Sequence, residues 1–295
     1  MCATATNWAC SCPKKWRLLW SSTVSNDRWL IALDLDGTLF DHDLRIHPRV
    51  AEAIRRTLAA GHVVTLATGR MYCATRPFAE QLGLTAPLIC YQGALVRDET
   101  NTLLHLTLPL AITREAIAFA RAHDVHLNVY LDDVLYVAEM TPEAEFYHSL
   151  SPMAPVEVVG DLLAFVQREP TKVVFVCDEA QTPALLAEAA QRWGRVAQVV
   201  QSHARFVELT HREVSKGRAL LLLAEHLGIA PTRTLAIGDN RNDESMLRAA
   251  AVGVAMGNAA PEVQAIADWV APPVHAQGVA AALERFVLNE AGAGA

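Results

Sequence analysis

Short apolar runs that alternate with helix-forming segments constrain the fold of this chain more than any other feature. The first run, Trp29–Leu33, is apolar at every position, which is typical of a strand buried on both faces of a parallel sheet. Further strand-like runs occur at 62–67, 87–91, 234–237 and 251–256, with helical periodicity between them. Strands separated by helices imply crossover connections. The sequence therefore predicts an α/β fold with a doubly wound, mainly parallel, Rossmann-like core sheet.

In the middle of the chain, strands and helices no longer alternate regularly. Two strand-like runs meet at Asp132-Asp133 as in a hairpin, and helices and further strands follow irregularly. We therefore expect a second domain of the α+β type at 110–207, inserted into a core formed by 29–109 and 208–295.

The first 28 residues are net basic and carry three of the six tryptophans. Their apolar segment, Trp16–Trp20, is interrupted by Arg17 and is shorter than the roughly 7–15 residues of a secretory signal. We expect a poorly ordered N-terminal extension and assign it no function.

Composition excludes several classes of protein. The 295 residues carry a net charge of −7, and phosphate-backbone binding needs a basic surface, so we expect no nucleic-acid partner. We also expect no membrane association, because no apolar run approaches the roughly 18 residues of a membrane span. The six cysteines form no Cys-X-X-Cys pair, which favours a reducing cytoplasm over a disulfide scaffold.

An acidic pair ends the first strand-like run. Asp34 and Asp36 are two residues apart on extended chain, so both project to one side at the carboxyl end of a parallel strand, where ligands bind in open α/β sheets. A simple Asp36-Gly37 turn is the alternative. Two acids delivered to one point favour a functional site.

Three further polar motifs follow strands or begin helices. Thr68-Gly69 could bind an oxyanion, or Thr68 could cap a helix. Lys216, at a helix start where the dipole disfavours a cation, suggests a paired anion, although a solvated lysine is the default. Asp239, Asn242 and Asp243 offer the hard oxygen ligands that Mg²⁺ prefers, or Asp243 caps the next helix.

The four motifs, in this order, resemble those of the haloacid dehalogenase superfamily of phosphatases. The resemblance is greatest to the Cof-like branch, which has a type IIB cap inserted between its second and third motifs. It extends from about Trp29 to Phe286 and includes the segments Cys90–Ala94, Gly253–Asn258 and Ala267-Asp268. Gln92 stands where that branch more often has Asn.

The resemblance implies a role for each matching residue. Asp34 would be the nucleophile that forms an aspartyl-phosphate, and Asp36 the general acid and base. Mg²⁺ would be held by Asp34, the Asp36 backbone carbonyl and Asp239. The transferring phosphoryl group would be held by side chains and backbone N–H groups, namely those of Thr68, Lys216, Asn242, Leu35 and Gly69.

The expected function is that of a Mg²⁺-dependent phosphatase acting on a small phosphorylated metabolite such as a sugar phosphate. A phosphotransferase or mutase on the same fold is an alternative, as is a non-catalytic phospho-accepting module. Such a module lacks the second acid at Asp36, and an ion pump that shares the nucleophile motif needs membrane spans. The cap would select the substrate, with candidate contacts at Tyr130, Asp132, Tyr147 and Arg205. The sequence leaves the oligomeric state open.

Overall fold

The structure is a computed structural model that describes residues 27–40, 43–150 and 152–288. The extension predicted over residues 1–28 lies almost entirely outside the described residues. Within these ranges, none of the helices combines the length and the apolar character that a membrane crossing requires.

The described residues contain strands of three to seven residues. In chain order they are β1 (Leu30–Leu33), β2 (Val63–Leu66), β3 (Leu88–Cys90), β4 (Leu95–Arg97), β5 (Thr102–His105), β6 (His126–Leu131), β7 (Val134–Val137), β8 (Val156–Val158), β9 (Lys172–Val176), β10 (Ala197–His203), β11 (Phe206–His211), β12 (Thr234–Gly238), β13 (Val252–Met256) and β14 (Trp269–Ala271).

The helices alternate with these strands. In chain order they are α1 (Pro48–Ala59), α2 (Tyr72–Leu82), α3 (Leu110–Ala122), α4 (Pro142–Leu150), α5 (Leu162–Phe165), α6 (Thr182–Trp193), α7 (Lys216–His226), α8 (Glu244–Ala249), α9 (Pro261–Gln264) and α10 (Gly278–Leu283).

A five-stranded parallel sheet forms the core, in the spatial order β14-β13-β12-β1-β2. Strand β1 lies in the middle, and its residue Ile31 pairs with Leu235 on one side and Val64 on the other. All four residues of β1 are buried, as the unbroken apolar run predicts. The α/β fold with a parallel core sheet is confirmed.

A second sheet of six strands, in the order β10-β11-β9-β6-β7-β8, is formed by the middle of the chain. Its pairs are antiparallel except for β7 with β8, so the α+β character expected there is confirmed. Strand β11 ends at His211, so this sheet continues past the predicted boundary at 207. The division of the chain into domains stays a prediction.

The six-stranded sheet has two different faces. Alternate residues such as Val173 and Phe175 pack against helices α3 and α6 in a hydrophobic cluster of their own. Residues of the opposite face, including Tyr130, Val174 and Phe206, share a cluster with residues of the parallel sheet. This second face is therefore the one that borders the carboxyl edge of the core.

Helix α2 begins at Tyr72, and a contact that is distant in sequence stabilises its start. The carboxylate of Asp133, in the turn between β6 and β7, accepts hydrogen bonds from the N–H groups of Tyr72 and Cys73 at 2.9 and 2.6 Å. It also accepts one from the Tyr91 hydroxyl at 2.8 Å. A carboxylate from the second sheet thus caps a helix of the first.

We expect Asp133→Ala to lower the free energy of unfolding by about 1–2 kcal/mol, the usual cost of losing a helix N-cap. Asp132→Ala is the matched control, because Asp132 has the same left-handed backbone but pairs with Arg168 at the surface. Loss of that exposed pair costs about 1 kcal/mol or less. Urea denaturation of the two variants measures the difference, and equal losses would contradict the assigned role of Asp133.

Candidate active site

The nucleophile predicted by the sequence lies at the carboxyl end of the central strand. The Asp34 N–H donates to the carbonyl of Ile237 at 3.0 Å, so the residue continues the ladder between β1 and β12. Its side chain is buried. The chain then turns through Gly37, whose φ of +81° and close approach to the Asp239 carboxylate leave no room for a Cβ.

Lys216 lies between two buried carboxylates. Its Nζ donates to Asp34 Oδ1 at 2.7 Å and to Asp243 Oδ1 at 2.6 Å, and its side chain is fully buried. Burial acts to lower the pKa of Lys216, but Asp243 and Asp34 outweigh it and raise that pKa above its ordinary value. The position of Lys216 at the start of α7 suggests a paired anion, and Asp34 and Asp243 are such anions.

The loop after β12 is held in shape by Asp243. Its Oδ2 accepts hydrogen bonds from the N–H groups of Asp239 and Asn240, both at 3.0 Å. The Asn240 side chain bonds back into the same turn, which forms a capping box over Arg241–Asp243. Asp243 therefore caps this short turn rather than helix α8, where the alternative interpretation of the sequence placed it.

Two of the three acids have a raised pKa. Burial and then Asp243 raise the pKa of Asp34 well above its ordinary value, while Lys216 opposes them. Burial and Asp243 likewise raise the pKa of Asp239 to about 7, against the opposing hydrogen bond from Thr38. A bound cation would relieve this repulsion.

The donor set fits a divalent cation. One oxygen from each of Asp34, Asp239 and Asp243 lies within 4.8 Å of the others. Both oxygens of Asp243 are engaged by Lys216 and the loop N–H groups. Among the described residues, no group donates to Oδ2 of Asp34 or of Asp239, so these two hard oxygens are free to bind a cation.

The predicted phosphate-binding groups surround the same strand ends. Thr68 is buried and its hydroxyl accepts a hydrogen bond from the Arg70 N–H at 3.1 Å. This bond closes a turn before α2, which begins at Tyr72, so Thr68 does not cap that helix. Within the described part of the chain, the N–H groups of Leu35 and Gly69 donate to no protein acceptor. They are available to an oxyanion.

Gln92 connects Asn242 with the segment around Gly69. The Asn242 Nδ2 donates to Gln92 Oε1 at 3.0 Å. On the other side, a Cβ at Gly69 would come within 2.5 Å of Gln92 Nε2. Tyr91 and Gln92 both have left-handed backbone, with φ of 52° and 62°, a strained geometry that holds the Gln92 amide between the two segments.

Arg70 is a site residue for which the sequence indicates no role. Its Nε and Nη2 donate to Asp36 Oδ2 and Oδ1 at 2.8 and 2.6 Å, a bidentate pair. The guanidinium also lies 5.6 Å from the centre of the Phe40 ring. The Asp36 carboxylate is therefore occupied by Arg70 and does not belong to the three-acid cluster, so its backbone carbonyl remains the candidate cation ligand.

Of the four cap residues suggested by the sequence, two bond to other residues of the segment 110–207 and two lie on the core-facing side of the second sheet. Asp132 pairs with Arg168, and Arg205 donates to the carbonyl of Cys177 at 2.9 Å. Tyr130 and Tyr147 instead lie edge to face, with ring centres 6.2 Å apart, on the side that borders the core. The structure brings only the two tyrosines towards the site.

Comparison with known proteins finds one family of hydrolases. The sequence matches the profile of haloacid dehalogenase-like hydrolases over residues 31–283. It is 29% identical to a 5-amino-6-(5-phospho-D-ribitylamino)uracil phosphatase of Bacillus subtilis, over 88% of this chain and 97% of that protein. It is 31% identical to a pyridoxal phosphate phosphatase of Escherichia coli, over 82% and 92% of the two chains.

The fold is also found among solved structures. A haloacid dehalogenase-like hydrolase from Bacteroides thetaiotaomicron superposes with a TM-score of 0.81 at 27% identity, over 88% of this chain and 99% of that one.

We expect the metal-free protein to lose stability as the pH rises. The pKa of Asp239 is about 7 in the folded protein and 3.8 for an unperturbed carboxyl. The folded state keeps this proton to a higher pH than the unfolded state does. Its contribution to stability is therefore full below about pH 4 and is lost as the pH rises through about 7. Urea denaturation in EDTA at about pH 5 and about pH 8 measures the fall, and Asp239→Asn should reduce it.

Added Mg²⁺ should restore stability mainly at the higher pH, because cation and proton compete for the same carboxylates. An equal gain from Mg²⁺ at both pH values would contradict the assignment of these acids as ligands.

Proposed function

Because the chain belongs to the haloacid dehalogenase-like hydrolases, we propose that it is a Mg²⁺-dependent phosphatase of small phosphorylated metabolites, such as sugar phosphates. The observation that carries the proposal is how the two carboxylate oxygens of Asp34 are bonded. One of its oxygens is held by buried Lys216 and the other accepts no hydrogen bond from the described residues, at the end of a rigid strand. Two relatives that are named for small phosphate esters support the substrate class.

In the first half of the proposed reaction, an Asp34 oxygen attacks phosphorus. The bond between phosphorus and the leaving oxygen breaks, and that oxygen takes a proton from Asp36. Lys216, Thr68, Asn242 and the N–H groups of Leu35 and Gly69 would hold the phosphoryl oxygens. The product of this step is an aspartyl-phosphate.

In the second half, water attacks the phosphorus of the aspartyl-phosphate. Asp36, now a carboxylate, takes the proton from water, and the bond between phosphorus and Asp34 breaks. Inorganic phosphate leaves and Asp34 is restored as a carboxylate, so the two halves balance.

A cation held by Asp34, Asp239 and the Asp36 carbonyl would neutralise charge on the carboxylate and the phosphoryl group, which otherwise repel one another. Lys216 supplies part of the same neutralisation from the protein itself, because its ammonium is held within 2.7 Å of Asp34.

The pair between Asp36 and Arg70 has to open during the cycle. Both Asp36 oxygens accept hydrogen bonds from the guanidinium, so neither can carry a proton to the leaving group while the pair is intact. We infer that Asp36 turns from Arg70 towards the leaving oxygen once an ester is bound, which makes Arg70 a positioning residue for the acid.

We also propose a cytoplasmic location. Cys73, Cys90 and Cys177 are free thiols, and burial followed by the charge of Asp133 raises the pKa of Cys73 to about 12. Unpaired thiols of this kind support a reducing compartment.

A screen of phosphate monoesters with and without Mg²⁺, with inorganic phosphate as the readout, tests the function directly. We expect Mg²⁺-dependent release with water as acceptor. Transfer of the phosphoryl group to a second hydroxyl without release of phosphate would identify a phosphotransferase instead.

Asp34→Asn should abolish turnover, because the amide is not a nucleophile, and Asp36→Asn should slow it by about a hundredfold or more. Asp124→Asn is the matched control, since Asp124 is exposed on a loop of the second sheet. Steady phosphate release by Asp34→Asn would falsify the covalent mechanism. A near-normal rate for Asp36→Asn would reassign the acid.

A further inference from the structure

A buried ion pair lies on the face of the six-stranded sheet that borders the core. Lys172 of β9 and Glu208 of β11 are 2% and 4% exposed, and Lys172 Nζ donates to Glu208 Oε2 at 3.0 Å. Apolar residues of similar size at such positions are usually as stabilising as an ion pair or more so. Stability alone therefore gives no reason for two charges here.

The pair reaches the site through Lys172. Its Nζ lies 3.5 Å from the carbonyl oxygen of Gly69, between the candidate phosphate ligand Thr68 and Arg70. Burial acts to lower the pKa of Lys172 and of Arg70, whereas the carboxylate paired with each, and the phenol of Tyr147 near both, raise it. Lys172, Tyr147 and Arg70 therefore lie in one neighbourhood.

That neighbourhood is the leaving-group side of the proposed reaction. Arg70 holds Asp36, and Asp36 is the group that would protonate the leaving oxygen. The part of the substrate attached to that oxygen must then lie beyond Asp36, towards the second sheet. Lys172 is a charged group that the second sheet places against this segment, and Glu208 is its partner.

Two groups at the pair of Lys172 and Glu208 can form further hydrogen bonds, namely the Tyr130 hydroxyl and the Lys172 ammonium. The Tyr130 hydroxyl is buried directly across the ladder from Lys172. The Tyr147 phenol interacts with it electrostatically, but no group among the described residues makes a hydrogen bond of normal geometry to it. Lys172 Nζ has three N–H groups, of which one bonds to Glu208 and one makes the long contact to Gly69. A buried hydroxyl without a partner is costly unless a ligand uses it.

The pair also connects with an open space. Glu208 Oε1 accepts a hydrogen bond from Ser202, and Ser202 lines a cleft of about 600 Å³. The same cleft is lined by Gln92, Lys216 and Asn242 of the candidate site. The cleft therefore extends from the candidate phosphate ligands to Ser202, the hydrogen-bond partner of Glu208.

We propose that Lys172, Glu208 and Tyr130 are specificity-determining residues that bind hydroxyl groups on the leaving group of the ester. The carboxylate would accept from a hydroxyl, while the ammonium and the phenol would donate to a hydroxyl oxygen, so adjacent hydroxyls match the set. This inference rests on the proposed phosphatase function and deepens it, because it assigns a polyhydroxylated leaving group to this side of the site.

The test compares a hexose phosphate with phenyl phosphate, whose leaving group has no hydroxyl besides the one released. The double variant Lys172→Met/Glu208→Leu replaces the pair by apolar residues, a change that is usually neutral or stabilising. Tyr130→Phe removes only the hydroxyl and keeps the buried ring. Tyr136→Phe is the matched control, because Tyr136 packs on Phe165 at the opposite face of the sheet.

We expect the ratio of kcat/KM for the hexose phosphate to kcat/KM for phenyl phosphate to fall about tenfold or more in the double variant. In Tyr130→Phe it should fall about threefold or more, as loss of one hydrogen bond predicts. Tyr136→Phe should leave the ratio within about twofold of the wild type, and thermal unfolding verifies that each variant is folded.

Two results would overturn the proposal in distinguishable ways. An unchanged ratio in the double variant and in Tyr130→Phe, with both esters hydrolysed, would overturn the specificity role alone. A wild-type protein that releases phosphate from neither ester, nor from a pentose phosphate or glycerol phosphate, would overturn the proposed function and this inference together.

Discussion

The contact of Lys216 with Asp34 and Asp243 is the interaction on which the rest of the site depends. It joins the end of β1, the start of α7 and the loop after β12, and its two bonds are 2.7 and 2.6 Å long. Removal of the ammonium would leave two carboxylates buried without a counter-charge, which is strongly unfavourable. The geometry of the acids therefore depends on a cation that the protein carries itself, and a bound metal ion would complete the same neutralisation.

Much of this arrangement follows from the sequence, for a physical reason. Parallel strands bring their carboxyl ends to one edge, so polar residues directly after apolar runs meet there whatever their distance along the chain. Asp34, Thr68 and Asp239 are of this kind. Lys216 follows from a different rule, since a buried cation at a helix N-terminus needs an anion nearby. The assigned roles themselves stay proposals.

Other features depend on contacts that no local pattern reveals. The sequence around Asp133 predicts only a turn. Its carboxylate nevertheless caps α2, which begins some sixty residues earlier in the chain. Lys172 begins an otherwise apolar strand, and nothing nearby indicates that it turns inwards to Glu208. Arg70 likewise meets Asp36 only because β1 and β2 are neighbours. In each case the partner is set by tertiary packing, which periodicity and spacing do not encode.

The position of β1 also has a consequence for how the chain acquires its structure. One neighbour of this central strand, β2, follows it closely in sequence, whereas the other, β12, begins only at Thr234. During synthesis from the N-terminus, β1 therefore lacks half of its hydrogen-bonding partners until most of the chain has been made. Contacts of such long range slow folding, because the loop they close is costly in entropy. The six-stranded sheet, built from a continuous stretch of chain, can form first, and we expect the acidic centre to be among the last parts of the nascent protein to assemble.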